Sequence, residues 1–564
     1  MIMIVAACGG GSKADIDAAV PDARLVGFDQ PDEVCPGGPK CATTGDGTLY
    51  VGAGKRTFTP PVIETWTDQN ANFKYDPGEP YDDKNGNGKF DGTWLFGGGN
   101  AANGVKTDLE ARAIAFKEGD ITVALVYLDC TGFFAGDMDA IRADPKLAPY
   151  DLDHVIIGST HAHLAVDTIG LWGADTFSSG YNEAYVATVR AAAVDAIVDA
   201  VKSAKPAHLI IAKTELINDP KDPTSKTDRW DEDIRDPVIF DPTMTIARFV
   251  DATDETKTIA TMINWADHPE VAVFDHSIYP LISAHYPHWL RDYTEQGFKT
   301  GDFYDLTRDL PGLGGETVFV QGALGGQIGS IRSTSIPDRQ GNLINKESHE
   351  KDEALGANAA RRALETLMDE GETIGDLPLS YRSATFAARL DNTGLLVAVK
   401  IGLIKPNEHR LAGYDVSQGI DDTNKPWLPL RATYLQIGPL GIVTAPGELH
   451  PELWVGGYDG SWSWGWPIMD ETKPNKPDLS TAPKGPYLRD LVLANSGVRY
   501  PVLAGLAEDY IGYIVPAYNY VLNPDNPYLT EADGDHYEET YSLGPDVEAQ
   551  AVHPIYDLVA WRPH

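Results

Sequence analysis

His154-Val-Ile-Ile-Gly-Ser-Thr160, followed by His161-Ala-His163, is the stretch from which the rest of the chain is read. Residues 154–160 are a short apolar run of strand character, and the polar turn after them carries two histidines. Upstream, Ile121-Thr-Val-Ala-Leu-Val-Tyr-Leu128 is almost continuously apolar and ends in Asp129-Cys130-Thr131-Gly132, the pattern of a buried strand entering a turn. Downstream, residues 181–204 place apolar side chains at helical spacing and predict a helix, as do residues 346–370. Segments 258–263, 317–320, 395–399 and 433–443 read as further strands. Strands and helices are interspersed, so the expected fold class is α/β: one large mixed α/β domain over residues 48–564, with no internal linker. No period of 20–50 residues points to a solenoid or propeller.

The chain has 564 residues, 83 of them Asp or Glu and 45 Lys or Arg, for a net charge of −38. A hydrophobic content of 42% is enough for a large core. Phosphate binding needs a basic face, so the charge argues against a nucleic-acid partner and against electrostatic attachment to anionic lipid. No apolar run is long enough for a transmembrane helix. Val5-Ala6-Ala7-Cys8 resembles a bacterial lipobox. Residues 1–7 therefore read as a truncated lipoprotein signal, Cys8 as a lipidation site and 8–47 as a disordered tether rich in Gly, Ala, Asp and Pro. Membrane attachment is expected through lipidated Cys8, in a bacterial cell envelope or outside the cell. In such an oxidising place Cys35 and Cys41 can close a small disulfide loop, while Cys130 reads as a buried thiol.

Residues 64–93 read ETWTDQNANFKYDPGEPYDDKNGNGKFDGT. Asp68, Asn70, Asn72, Asp76 and Glu79 fall at positions 1, 3, 5, 9 and 12 of a calcium loop; Asp83, Asn85, Asn87 and Asp91 repeat its first part. Alternating oxygen side chains let a turning backbone wrap a hard cation. Phe73 stands where the sixth-position Gly belongs, Trp94 stands where the second loop needs its final acid, and no helical pattern flanks either loop. The segment is read as a calcium-binding insertion that stiffens a loop, not as an EF-hand.

In an extended backbone residues i and i+2 share a face, so His161 and His163 can enter one site. A third histidine, His268, lies in Asn264-Trp-Ala-Asp267-His268-Pro-Glu270, again just after a strand. A carboxylate, Glu448, follows the apolar run Leu440-Gly-Ile-Val443. Two His and one carboxylate are a common donor set for catalytic zinc.

These blocks, in order, resemble the neutral/alkaline (non-lysosomal) ceramidases. Gly52-Ala-Gly-Lys-Arg-Thr-Phe-Thr-Pro60 with Thr160-His-Ala-His163 is similar to that family's start, and NWADHPE, APGE, Gly505-Leu-Ala-Glu-Asp-Tyr510-Ile-Gly-Tyr513 and His536-Tyr537-Glu538 are similar to its later blocks. The resemblance implies a zinc site of His161, His268, Glu448 and Tyr513, with His163 and Tyr537 lining the substrate pocket. It also implies that the family's C-terminal accessory domain is missing. The departures are local. Ile328 falls where the family's catalytic Ser belongs and Gly326 where its Asp belongs; Ser330 comes two positions later. Leu164-Ala-Val-Asp167 replaces a Ser-Gly-Pro-Gly, and Asn218-Asp-Pro-Lys221 stands in the family's Arg-bearing region. The Gly-rich loop is left as a source of backbone N–H groups for an oxyanion. The expected function is therefore a zinc-dependent hydrolase of an amide or ester bond, acting through activated water on a ceramide-like N-acyl lipid, with His163 or Asp267 assisting proton transfer and Tyr537 positioning the substrate. The alternatives are a ceramidase-like module that binds ligand without turnover, with Trp462, Trp464 and Trp466 as a stacking platform on a strand, or a hydrolase of an unrelated small substrate.

Overall fold

The computed structural model describes residues 30–38, 41, 45–175, 177–216, 230, 232–275, 277–331, 334–404 and 413–562. Cys8, the signal remnant and the segment at 218–221 lie outside the described residues. The rest forms a large α/β domain of four layers, helices on the outside and two sheets packed face to face between them. The larger sheet runs, edge to edge, through Glu316–Gln321, Asp254–Trp265, Thr243–Asp251, Lys205–Glu215, Tyr50–Thr57, Glu110–Glu118, Ile121–Leu128 and His154–Ser159, with Glu372–Ile374 added beside Lys205–Glu215. The smaller sheet has the order Glu33–Cys35, Leu379–Arg389, Trp427–Ile437, Leu440–Thr444, Tyr500–Ala504. Val51, Phe116, Leu125, Phe249 and Met262 of the larger sheet meet Leu435, Ile442 and Val502 of the smaller one in a shared apolar core.

Helix Glu183–Ser203 covers one outer face. Asn182 caps its start, its side chain accepting from the N–H groups of Ala184 and Tyr185 at 3.0 and 3.3 Å. Beneath it, strand Tyr50–Thr57 carries Gly52 and Gly54; a Cβ there would stand 2.0 Å from Ala200 O and 2.3 Å from Ala196 O. Only glycine lets the helix approach this closely. Helices His285–Gln296 and His349–Glu370 cover the other half of the sheet.

The larger sheet curls until its two edges come near each other. Gln321, at the end of one edge strand, donates through Nε2 to Thr160 O, just beyond the other, at 3.1 Å. The chain that leaves Tyr500–Ala504 fills the remaining gap: Gly505 N donates to Gln321 O at 2.8 Å, while Ser159 N donates to Leu506 O at 3.0 Å and Glu508 N to Ile157 O at 2.8 Å. Residues 505–508 are thus a seam between the two edges. Strand ends at 159, 265, 321, 444 and 504 meet around it.

Three sequence expectations are corrected. The described residues among 33–47 are not a tether: Glu33–Cys35 pairs antiparallel with Leu379–Arg389, a Cys35–Cys41 disulfide closes behind it, and Gly47 N donates to Glu118. Composition alone could not register a strand held by a partner 350 residues away. Residues 395–399 lie in a helix, Thr393–Lys400, not a strand. Asn392 caps it, accepting from Leu395 N at 3.1 Å, and only Leu396 and Val399, three apart, are buried. The Trp462, Trp464 and Trp466 segment is a series of turns with Trp464 at φ 51°, so these rings share no strand face. Trp462 packs on the core and meets Trp464 edge-on at 6.0 Å.

Candidate metal centre

His161 leaves its strand in a left-handed conformation, φ 68°, which turns the chain inward. Its N–H donates to Cys130 O, and its Nδ1–H donates to Thr131 O at 2.6 Å. His268 is held in the same way, its Nδ1–H donating to Gln327 O. A carbonyl only accepts, so both rings carry the proton on Nδ1 and present bare Nε2 atoms. The two Nε2 atoms converge on one oxygen, Glu448 Oε2, at 3.4 and 3.1 Å. Glu448 in turn is aligned by parallel pairing with Tyr513, and its Oε1 accepts from Tyr510 Oη at 3.0 Å. Tyr513 Oη lies 3.5 Å from His268 Nε2 and 3.2 Å from Tyr537 Oη. Gly132 makes room for this arrangement, since a Cβ there would stand 2.5 Å from the Tyr510 ring.

His163 joins the group. One ring nitrogen of each of His161, His163 and His268 lies within 4.8 Å of the others, and all three are buried. Phe96 stacks on the His163 ring at 4.4 Å and 19°. Gln321 ties the histidine turns together: Nε2 donates to Thr160 O and Asp267 O, and Oε1 accepts from Asp267 N and Gly322 N. Burial pushes the Glu448 carboxyl up, but whenever the facing His161 and His268 rings are protonated, their charges and Nε2–H bonds outweigh burial and hold it well below the usual range. Burial dominates at Tyr510, Tyr513 and Tyr537 and raises all three phenols. Nδ1 groups anchored on carbonyls with Nε2 atoms facing a buried carboxylate are the outer-shell pattern of a divalent-metal site, and these residues fit such an ion.

The site opens into a cavity lined among others by Phe96, Thr131, His161, His163, Trp172, Glu270, Glu448, Tyr513 and Tyr537. Leu171, Tyr510 and Tyr541 separate it from a smaller, almost wholly apolar cavity. Asp267 is fully buried and does not line the larger cavity; Tyr286 and Gln321 donate to its carbonyl. The acid that faces the cavity from this segment is Glu270, two residues beyond His268, to which sequence reasoning gave no role. Ser330 is also turned away, its hydroxyl donating to Trp230 O. Nor is the Gly-rich loop an array of spare donors: Gly325 N, Gln327 N and Gly329 N donate to Leu449 O, Leu324 O and Glu270. The loop orients His268 and Glu270 instead.

The two Asp/Asn loops are near copies. Asp68 accepts from the N–H groups of residues 70–73, and Asp83 from those of residues 86–88. Asn70 and Asn72 donate to Asp76 as Asn85 and Asn87 donate to Asp91. In the first loop Glu79 accepts from Gln69 N and Asp76 N. In the second, Glu64 accepts from Lys84 N and Asp91 N, the equivalent positions. The acid missing at Trp94 is thus supplied from before the first loop. Phe73, at φ 60°, matches Gly88, at φ 75°, and its ring packs on Tyr279 at 5.5 Å.

No family model and no curated protein matches the sequence. Solved structures do match in fold, and the architecture is that of the neutral ceramidases. A neutral ceramidase from Pseudomonas aeruginosa superposes with a TM-score of 0.57 at 16% identity, over 91% of this chain and 74% of that one. A ceramidase complexed with C2 gives 0.57 at 15% identity, over 91% and 75%.

Proposed function

We propose that this protein is a metal-dependent hydrolase of an amide or ester bond, with zinc as the ion and a ceramide-like N-acyl lipid as the leading substrate. The observation that carries the reading is the convergence of two Nδ1-anchored histidines on Glu448 at the floor of a cavity. His161, His268, Glu448 and Tyr513 would hold the ion, which when bound supplies Lewis-acid activation of water and of a carbonyl. His163 faces the cavity to take up a proton, and Tyr537, bonded to Tyr513, orients the substrate. A water nucleophile suits a site whose nearby serine is committed to Trp230 O. The adjoining apolar cavity suits an acyl chain, and the ceramidase fold supports the substrate class. His161→Ala is expected to lose the transition metal, read by mass spectrometry, and chelator-sensitive hydrolysis of N-acyl lipids together. Activity retained without the metal would refute the reading.

A second ion, calcium, is proposed for the paired loops, favoured by the equivalent placing of Glu79 and Glu64. Lipid anchoring through Cys8, with a cell-envelope or extracellular location, is likewise proposed; fatty-acid labelling that persists in Cys8→Ser would refute it.

A further inference from the structure

We propose that Glu270 is a positioning residue that sets the tautomer of His163. His163 is 5% exposed, and among the described residues neither of its ring nitrogens has a hydrogen-bond partner. Phe96 holds its face, while His161 and His268 meet it edge-on at 4.6 and 5.7 Å. The Glu270 carboxylate, itself buried, lies with Oε2 3.6 Å from His163 Nδ1. Glu270 is not free to turn: its Oε1 accepts from Gly329 N at 3.1 Å. One oxygen is therefore committed to the loop and the other is aimed at the ring. A shift of a few tenths of an ångström closes that gap to hydrogen-bond length, as catalytic contacts do when a site fills.

An ionised carboxylate only accepts, so this geometry puts the proton on Nδ1 and the lone pair of His163 on Nε2. His161 and His268 receive the same tautomer from backbone carbonyls. His163 receives it from a side chain, which makes it the one of the three whose tautomer a single substitution can invert. Neither residue supplies a bond-breaking step here; Glu270 acts through His163. The use of that lone pair in hydrolysis rests on the proposed function, whereas the tautomer itself does not.

The test is the long-range 1H–15N spectrum of the full-length protein labelled at histidine, with the His163 signals assigned by their loss in His163→Gln. Wild type is expected to show Nδ1–H. In Glu270→Gln the amide oxygen takes the Gly329 N–H and the NH2 faces Nδ1, so His163 is expected to switch to Nε2–H. Glu270→Asp keeps a carboxylate and the wild-type tautomer, and Glu270→Ala gives a mixture. In Glu270→Gln, kcat is expected to fall about 100-fold with KM nearly unchanged, the scale of a misplaced acid–base group. Nε2–H in wild type, or one unchanged tautomer across wild type, Glu270→Gln and Glu270→Ala, would overturn the proposal. Metal content of the same samples separates the two ideas: a metal-free, inactive wild type refutes the hydrolase reading and leaves the tautomer result standing.

Discussion

Gln321, at the end of one edge strand, uses a single amide to fix two turns, one beyond the opposite edge strand and carrying His161, the other beyond the strand next to its own and carrying His268. Gln321→Leu takes a donor from the Thr160 and Asp267 carbonyls and an acceptor from Asp267 N and Gly322 N. The Asp267 carbonyl keeps Tyr286 Oη and Gly322 N keeps Trp265 O, so the cost falls on Thr160 O and Asp267 N; at about 1–3 kcal/mol for each buried group, a loss of about 3 kcal/mol is expected in denaturant unfolding. Chelator competition should show metal affinity weakened about 10–100-fold, the usual cost of removing an outer-shell support. His161, His268 and Glu448 were legible in the sequence because each follows an apolar run that ends at a polar turn. Glu270, Phe96 and Gln321 were not. Their roles depend on which strand ends meet, and no local pattern encodes that. The spacing of Glu270 from His268, the same as that of His163 from His161, is the one signal that could have raised it.

Short elements were the least legible. Residues 395–399 are apolar enough for a strand, and it is the Asn392 cap and the chain around it that settle the helix. Asn392 is buried and also donates to Thr540 O and Ser542 O at 3.0 and 2.8 Å. Asn392→Ala removes a cap and leaves those carbonyls unpaired, so a loss of about 2 kcal/mol in chemical denaturation is expected. The helix also lines the apolar cavity through Leu395 and Val399, and chain-length preference on N-acyl substrates should broaden with it. The paired loops show the opposite case. Their donors were readable one by one, but the swapped acid Glu64 was not, since it precedes both repeats. Calorimetric titration is expected to find two calcium ions per chain and one in Glu64→Gln. Two ions in that variant would dissociate Glu64 from the second loop.

Across the whole molecule, the alternation of strands and helices gave the fold class, whereas the curl of the larger sheet was invisible in any one segment. One charged group spans the layers. His154 Nδ1 lies 3.0 Å from Glu33, and its Nε2 lies 2.8 Å from Thr433 Oγ1 and 3.3 Å from Glu508, which also pairs with Arg142. Burial disfavours protonated His154, but its bonds to Glu33 and Glu508 outweigh burial and the opposing charge of Arg142, so its pKa is raised. Burial pushes Glu508 up, and Arg142 and His154 pull it down to about 2. The raised histidine contributes stability that is complete below its unfolded pKa of about 6.5 and fades as pH rises through the folded value; the depressed acid contributes above about 4.5 and fades toward 2. Tm is therefore expected to fall on the alkaline side of about pH 6.5 in wild type, and His154→Gln should lack that component. A parallel Tm–pH curve in the variant would refute the assignment.

The seam at 505–508 also bears on synthesis. A ribosome has made every strand of the larger sheet well before residue 505 exists. Until then the growing chain carries two unsealed edges, each a row of unpaired N–H and C=O groups able to recruit a neighbour. His161 and His268 must likewise wait for Glu448 and Tyr513, their partners in the proposed metal site. A premature stop before the seam would yield an adhesive fragment whose sheet edges are never closed.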